Sequence, residues 1–240
     1  MLYVIVGPTG SGKTDISVQV ASIFDLPIIN ADAFQIYQEM DIGTAKISKD
    51  DPNYKRHYLL DIKKPDEVYS VKEYQEDFLK IIYDLMKKHK DIIISGGTGL
   101  YIRAALYDYS FPEEDKIDLS KYESLTNEEI YHRLESIDPE ALKTIHVNNR
   151  KRLIRALAIS ENGVTKSENI ASQQHQYRFN KDEIKILFLN PPRDELYERI
   201  NLRVDKMFEN GLIDEVKKLL KKYNLSLTAR QAIGYKEAID

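Results

Sequence analysis

The chain has 240 residues, with 35 Lys and Arg against 39 Asp and Glu and no cysteine. An apolar fraction of 42% and a charged fraction of 31% exclude a disordered chain, and the lack of cysteine excludes disulfides and thiolate metal sites. The formal net charge of −4 excludes a uniformly basic nucleic-acid coat but allows a local basic patch. No apolar run approaches the ~20 residues of a membrane span, and Leu2–Val6 is too short for a signal-peptide core. The expected location is the cytoplasm.

Leu2–Val6 predicts a buried strand. Lys13–Phe24 predicts a helix with Ile16, Val20, Ile23 and Phe24 on its core stripe, and Pro27–Asn30 predicts a second strand. Ser70 with Glu73 forms a capping-box signature for a helix reaching about Lys88, with Tyr74, Phe78, Ile81, Ile82 and Leu85 on one face. Asp91–Ser95 is a third apolar run, closed by Gly96 and Gly97. From Tyr107 to Lys181 the chain is polar and helical in pattern. Phe111–Ser120 predicts an acidic, mobile connection. Thr126 with Glu129 predicts one helix start, and Asn148 or Asn149 another that runs through Leu153, Leu157 and Ile159. Glu183–Leu189 returns to strand character. A charged helix follows through Leu196, Ile200, Val204, Met207 and Phe208 to Gly211, then another from Ile213 to about Lys222. Strands alternating with helices imply an α/β fold with a parallel sheet covered on both faces. The expected organisation is a P-loop core of residues 1–107 and 182–240, with a helical insert of residues 108–181.

Gly7-Pro-Thr-Gly-Ser-Gly-Lys-Thr14 fits the P-loop pattern at every fixed position, between a strand and a helix. Its glycines let backbone N–H groups converge on phosphate oxygens. The helix starting at Lys13 directs its positive end at the same anion. Lys13 adds a mobile charge, and the Thr14 hydroxyl is a ligand suited to Mg²⁺. The loop recognises phosphates, not bases.

Asp32 follows the second strand at the carboxyl edge of the sheet, where open α/β sheets bind ligands. Near a phosphate it can hold Mg²⁺ or accept a proton from a nucleophile; as a turn residue it would do neither. Gly96-Gly-Thr-Gly99 ends the third strand at that edge, which makes Thr98 a ligand-contact candidate. From Ala141 to Ser160 there are no acids, but there are Lys143, His146, Arg150, Lys151, Arg152 and Arg155. Such a run is a solvated helix face or a surface that tracks phosphates. Arg199 lies four residues before Arg203 and within reach of Glu195, as in a surface ion pair. His57 and His146 do not have metal-ligand spacing. The sixteen tyrosines are scattered, which predicts amphipathic boundary positions and not a stacking platform.

Several blocks in order resemble the tRNA dimethylallyltransferase family. They are the P-loop, Ala31-Asp32 with Gln35-Ile-Tyr37, Met40-Asp-Ile-Gly-Thr-Ala-Lys46 and His57-Tyr-Leu-Leu-Asp61. Gly96-Gly-Thr-Gly-Leu-Tyr101, His146-Val-Asn-Asn-Arg-Lys-Arg152, Arg203-Val-Asp-Lys-Met207, Gly211-Leu-Ile-Asp-Glu-Val216 and Ala232-Ile-Gly-Tyr-Lys-Glu237 follow. The resemblance implies that the P-loop (Gly7, Thr9, Gly10, Ser11, Gly12, Lys13 and Thr14) grips dimethylallyl diphosphate and not ATP. It implies Mg²⁺ as cofactor, with Thr14 as its ligand. Asp32 becomes the general base at the exocyclic amine of a tRNA adenine beside the anticodon. Ala33, Phe34, Gln35 and Thr98 join Asp32 in contact with that nucleotide, and Lys151, Arg152 and Arg155 meet the tRNA. Lys13, Thr14 and Arg203 act on the departing diphosphate. A monomer is expected.

Val147 and Asn149 stand where the family tends to have proline and aspartate. The family pattern also continues beyond Gly-Tyr-Lys-Glu with a basic, aromatic segment, which implies weaker tRNA binding by this 240-residue form. A small-molecule or nucleotide kinase is the alternative reading of the same P-loop.

Overall fold

In a computed structural model the described residues are 1–109, 111, 119–161 and 176–239. The chain divides into two compact units, Met1–Tyr107 with Tyr177–Asp240, and Asp108–Gln176.

The first unit is built on a five-stranded sheet in the order β3-β2-β4-β1-β5. The strands are β1 (Leu2–Val6), β2 (Ile28–Asn30), β3 (His57–Tyr58), β4 (Ile92–Gly96) and β5 (Ile184–Phe188). Every pairing is parallel, so all five strands end at the same edge. Residues of the central strands alternate between two cores, as the period of two requires. Val4, Ile29, Ile92 and Ile94 face α2 (Val71–Met86), where Tyr74, Phe78, Ile82 and Leu85 are buried. Ile5, Ile28 and Ile93 face α1 (Lys13–Phe24).

Helix α2 starts as its sequence predicts: the Ser70 hydroxyl accepts the Glu73 N–H and the Glu73 carboxylate accepts the Ser70 N–H. Helix α1 departs from its expected stripe. Ser17 and Ala21 are its buried residues, while Ile23 and Phe24 are 74% and 66% exposed. Small side chains let α1 lie close to the sheet, which turns the last apolar pair outward. β3 was not anticipated, because two residues carry no alternation to read.

Helix α3 (Gly99–Leu106) follows β4. α7 (Arg193–Glu209) follows β5 and leads through Gly211 into α8 (Leu212–Lys222) and α9 (Tyr235–Ile239). The five apolar residues expected on the core face of α7 are not all covered. Leu196, Ile200 and Met207 are half-buried, whereas Val204 and Phe208 are exposed. Most of the tyrosines are half-buried or exposed, as expected, but a minority lie in the core. Tyr37, Tyr74 and Tyr235 are fully buried, and Tyr74 stacks on Tyr101 with ring centroids 4.0 Å apart. The Tyr74 hydroxyl donates to the Asn30 carbonyl at 3.2 Å, which makes a buried tyrosine tolerable beside β2.

The second unit holds α4 (Asn127–Ile137), α5 (Pro139–Leu142) and α6 (Arg150–Glu161). Thr126 and Glu129 form the predicted capping box on α4. Of the two asparagines before α6, Asn149 caps it, its Oδ1 accepting the Arg152 N–H at 3.3 Å. Ile130, Leu134, Ile145, Leu153 and Leu157 pack with Tyr122 into a separate small core. The acidic connection expected at residues 111–120 lies mostly outside the described residues.

Candidate active site

The site forms where the parallel strands end. Register sets Val6 of β1 beside Gly96 of β4 and Phe188 of β5, and Asn30 of β2 beside Ser95. The loops after these strands therefore emerge side by side.

The loop after β1 curls because Gly10 and Gly12 hold φ of 81° and 85°, the left-handed region that disfavours other residues. Helix α7 braces it, with Leu196 and Ile200 packed against Gly10. Lys13 Nζ donates to the carbonyls of Gly7 at 2.9 Å and Pro8 at 2.8 Å. Burial lowers the Lys13 pKa, with Arg203 lowering it further and Asp32 opposing. Arg203 is also held below its usual value by burial, against the pull of Asp32. Lys13, Asp32 and Arg203 thus lie within electrostatic reach of one another. The Ser11 hydroxyl is buried and has no partner among the described residues, which leaves its O–H free to donate to an anion.

The loop after β2 is pinned from both sides. Asn30 Nδ2 donates to the carbonyls of Asp32 at 3.2 Å and Leu59 at 3.0 Å. Thr98 accepts the Ala33 N–H on its hydroxyl at 3.0 Å and donates its own N–H to the Ala31 carbonyl at 3.1 Å. Asp32 Oδ1 accepts the N–H groups of Phe34 at 3.0 Å and Gln35 at 3.4 Å. Its other oxygen, Oδ2, accepts no hydrogen bond among the described residues. The carboxylate is therefore oriented through one oxygen and available through the other. Gln35 Nε2 and Arg203 Nη2 both donate to the Thr44 carbonyl, at 3.1 and 3.3 Å.

Lys13, Thr14, Asp32 and Gln35 line one inner pocket together with Asn30 and His57. Lys13 and Thr14 also line an open cleft of about 860 Å³, with Gly10, Gly12, Arg199 and Arg203. The donor set fits Mg²⁺ carried with a diphosphate: Thr14 offers one hydroxyl beside the Asp32 carboxylate, and this ion keeps water and phosphate oxygens as its other ligands. Among the described residues there is no cluster of three His, Asp or Glu side chains that would hold an ion unaided.

The fold brings together Gly7, Thr9, Gly10, Ser11, Gly12, Lys13, Thr14, Asp32, Ala33, Phe34, Gln35, Thr98 and Arg203. Within that group Phe34 is half-buried against the core, and Thr98 holds the Asp32 loop. Lys151, Arg152 and Arg155 lie on α6 in the other unit, exposed at a spacing that puts them on one helix face. Arg150 does not share that role. Its guanidinium donates to the carbonyls of Leu125 and Glu123 and to Asn127, tying α6 to the start of α4. Lys143 pairs with Glu140 at 2.6 Å.

Two residues were missed. Arg199 pairs with Glu195 at 3.3 Å as expected, yet it also lines the cleft; its spacing of four from Arg203 was the signal. His57 lines the inner pocket, with burial lowering its pKa against the Asn53 carbonyl 3.0 Å from Nδ1. Nothing in the residues before it points there.

The family model for IPP transferase matches residues 35–240. The chain is 44% identical to a tRNA dimethylallyltransferase of Halothermothrix orenii, over 99% of this chain and 74% of that protein. The chain belongs to the IPP transferase family. A tRNA dimethylallyltransferase of a Sulfurihydrogenibium species is 42% identical, over 99% of this chain and 78% of its own length. Among solved structures, the tRNA delta(2)-isopentenylpyrophosphate transferase of Staphylococcus epidermidis is 40% identical with a TM-score of 0.67, covering 99% of this chain and 79% of that one. A eukaryotic dimethylallyltransferase acting on tRNA has a TM-score of 0.84 at 28% identity, over 99% of this chain and 62% of its own. These relatives share the P-loop-like α/β architecture, and they do not favour the kinase alternative.

Proposed function

We propose that the chain transfers the dimethylallyl group of dimethylallyl diphosphate to N6 of the adenosine 3′ of the anticodon in tRNA, releasing diphosphate. The observation that carries this reading is a carboxylate inside a phosphate-gripping site. Asp32 stands within electrostatic reach of Lys13 and Arg203, one oxygen held by the Phe34 and Gln35 N–H groups and the other open. A carboxylate there can hold Mg²⁺ or take a proton from an attacking amine, and the open Oδ2 suits the second.

The P-loop N–H groups, Ser11 and Lys13 bind the diphosphate. The Thr14 hydroxyl would hold Mg²⁺ which, when bound, neutralises charge on the diphosphate oxygens. Asp32 Oδ2 accepts a hydrogen bond from the adenine amine and takes its proton as N6 bonds to the allylic C1. The C1–O bond breaks, its electron pair leaving with the diphosphate, whose growing charge Lys13 and Arg203 meet at fixed positions. Gln35, with Ala33, Phe34 and Thr98, shapes the loop that receives the base. Reaching it requires the adenine to leave its stack, which a single-stranded anticodon loop permits at low cost.

Lys151, Arg152 and Arg155 supply a positive helix face for tRNA phosphates, making the second unit the tRNA-contacting insert. We expect the chain to act as a monomer in the cytoplasm. Among the described residues no helix is long and apolar enough to cross a membrane.

The test incubates the protein with Mg²⁺, radiolabelled dimethylallyl diphosphate and unmodified tRNA carrying adenosine 3′ of its anticodon. Label entering tRNA, and lost with Asp32→Ala, supports the assignment. Phosphoryl transfer from ATP with no use of the allylic donor would replace it with a kinase.

A further inference from the structure

Three sequence blocks have no part in the chemistry above: Met40–Lys46, Gly211–Val216 and Ala232–Glu237. The fold joins them. Glu215, in the first turn of α8, turns its carboxylate to the N–H groups of Asp41 at 3.2 Å, Ile42 at 3.0 Å and Gly43 at 3.5 Å. Tyr235 of α9 donates its O–H to the same carboxylate. The Tyr235 hydroxyl also accepts the Gly43 N–H at 3.2 Å. Its ring lies so close over Gly43 that a β-carbon there would strike it.

The next residue is Thr44. Its carbonyl receives both Arg203 Nη2 and Gln35 Nε2, and its hydroxyl donates back to the Met40 carbonyl at 2.6 Å. The far end of the loop is fixed as well. Lys46 Nζ donates to the Tyr37 carbonyl and to the carboxylates of Asp41 and Asp61, all within 2.6 to 2.7 Å. Successive N–H groups converging on one carboxylate form a rigid anion nest, and charge-assisted hydrogen bonds are the strong ones. The position of the Thr44 carbonyl is thus set from α8 and α9, and that carbonyl aims a guanidinium whose burial leaves it costly to misplace.

We propose that Glu215, seconded by Tyr235, is a positioning residue for the diphosphate site. It holds residues 41–43 so that the Thr44 carbonyl fixes the Arg203 guanidinium and the Gln35 amide. The proposal rests on Arg203 being a diphosphate ligand. It also gives the Gly-Leu-Ile-Asp-Glu-Val and Ala-Ile-Gly-Tyr-Lys-Glu blocks a shared purpose, although neither reaches the cleft by its charged groups.

The test is a double-mutant cycle on affinity for inorganic diphosphate, measured by calorimetry with Mg²⁺. It uses Glu215→Gln, Arg203→Ala and the two combined. Glu215→Gln replaces an all-acceptor carboxylate with an amide whose NH₂ opposes the loop N–H groups. It is expected to weaken binding on the order of tenfold in the otherwise unaltered chain and hardly at all beside Arg203→Ala, since residues acting through one contact are not additive. Tyr235→Phe keeps the ring over Gly43 and should give a smaller loss with the same dependence on Arg203, which covers the case of a poorly folded Glu215→Gln. Losses that multiply with Arg203→Ala, or unchanged affinity in both variants, overturn the positioning role and leave the prenyl-transfer reading intact. Unchanged affinity in Arg203→Ala alone removes Arg203 from the diphosphate site, and with it the premise.

Discussion

Gly96→Ala tests how tightly the site is built. Gly96 closes β4, and a β-carbon there would overlap the carbonyl group of Ala31. The obstacle is backbone with no flexible side chain to swing aside. Ala31 is also tied on both sides, its N–H to Ser95 at 2.8 Å and its carbonyl to Thr98 at 3.1 Å. The strain must therefore be relieved by separating β2 from β4, which carries Asp32 away from Lys13. Overpacking of this kind costs about 1–3 kcal/mol, and for a chain of this size each kcal/mol lowers Tm by roughly 2–4 °C. A shift of the base by ~1 Å is worth about a hundredfold in rate. The expected variant is folded, melts roughly 2–12 °C lower, and loses about a hundredfold in kcat/KM in the labelled-tRNA assay. Its affinity for inorganic diphosphate should fall far less, because the P-loop does not depend on Ala31. A variant with unchanged Tm and more than half the activity would show that β2 and β4 are not locked as described.

Asp61→Asn should destabilise the fold by roughly 2 kcal/mol at neutral pH, the scale of hydrogen bonds to charged groups. Burial alone would raise the Asp61 pKa, but hydrogen bonds from Lys46 and Tyr54 outweigh it and hold the carboxyl below its usual value. A depressed carboxylate contributes stability above its unfolded pKa of about 4, lost as pH falls through the lower folded value. The gap in denaturant midpoint between the two proteins should therefore close on acidification below about pH 4; a gap independent of pH would refute the ionic reading. Ser70→Ala removes the α2 cap, a loss of about 1 kcal/mol, and should lower Tm with KM for both substrates unchanged. Lys151, Arg152 and Arg155 changed together to Ala should raise KM for tRNA and flatten its salt dependence, with KM for the allylic donor unchanged. An unaltered salt slope would make that helix face merely solvated.

What the sequence disclosed and what it withheld divide along physical lines. The P-loop, the capping boxes at Ser70 and Thr126 and the strands at residues 2–6 and 92–96 were legible because each is a local device. A glycine at a left-handed position, a hydroxyl three residues before a glutamate and an uninterrupted apolar run announce themselves within a few residues. Asp32 was legible as a strand-end carboxylate, and Arg203 only through resemblance to the family. The α1 face was misread because the pattern rewards large apolar residues, while close packing on a sheet selected Ser17 and Ala21. Arg150 looked like its basic neighbours until its guanidinium was found spanning two carbonyls more than twenty residues away. Glu215 and Tyr235 were beyond reach for the same reason: their partners lie about 170 to 190 residues earlier.

The P-loop alone does not choose the chemistry. Its N–H groups and Lys13 answer to phosphate oxygens, and they would serve a kinase as well as a prenyltransferase. The choice is made by what the neighbouring strand delivers. In a phosphoryl transfer the bond that breaks is inside the polyphosphate, so the acceptor must approach the terminal phosphorus. In an allyl transfer the bond that breaks joins carbon to the diphosphate, so the whole anion departs and the base stands beside the carbon. Asp32, oriented through Oδ1 by its own turn and delivered by the neighbouring strand beside Lys13 and Thr14, suits the second geometry. The same division explains why Arg203 comes from α7, a helix packed on the P-loop through Leu196 and Ile200. Whatever moves the loop moves the arginine with it, so in the proposed transfer the leaving group keeps its charge partner as it goes.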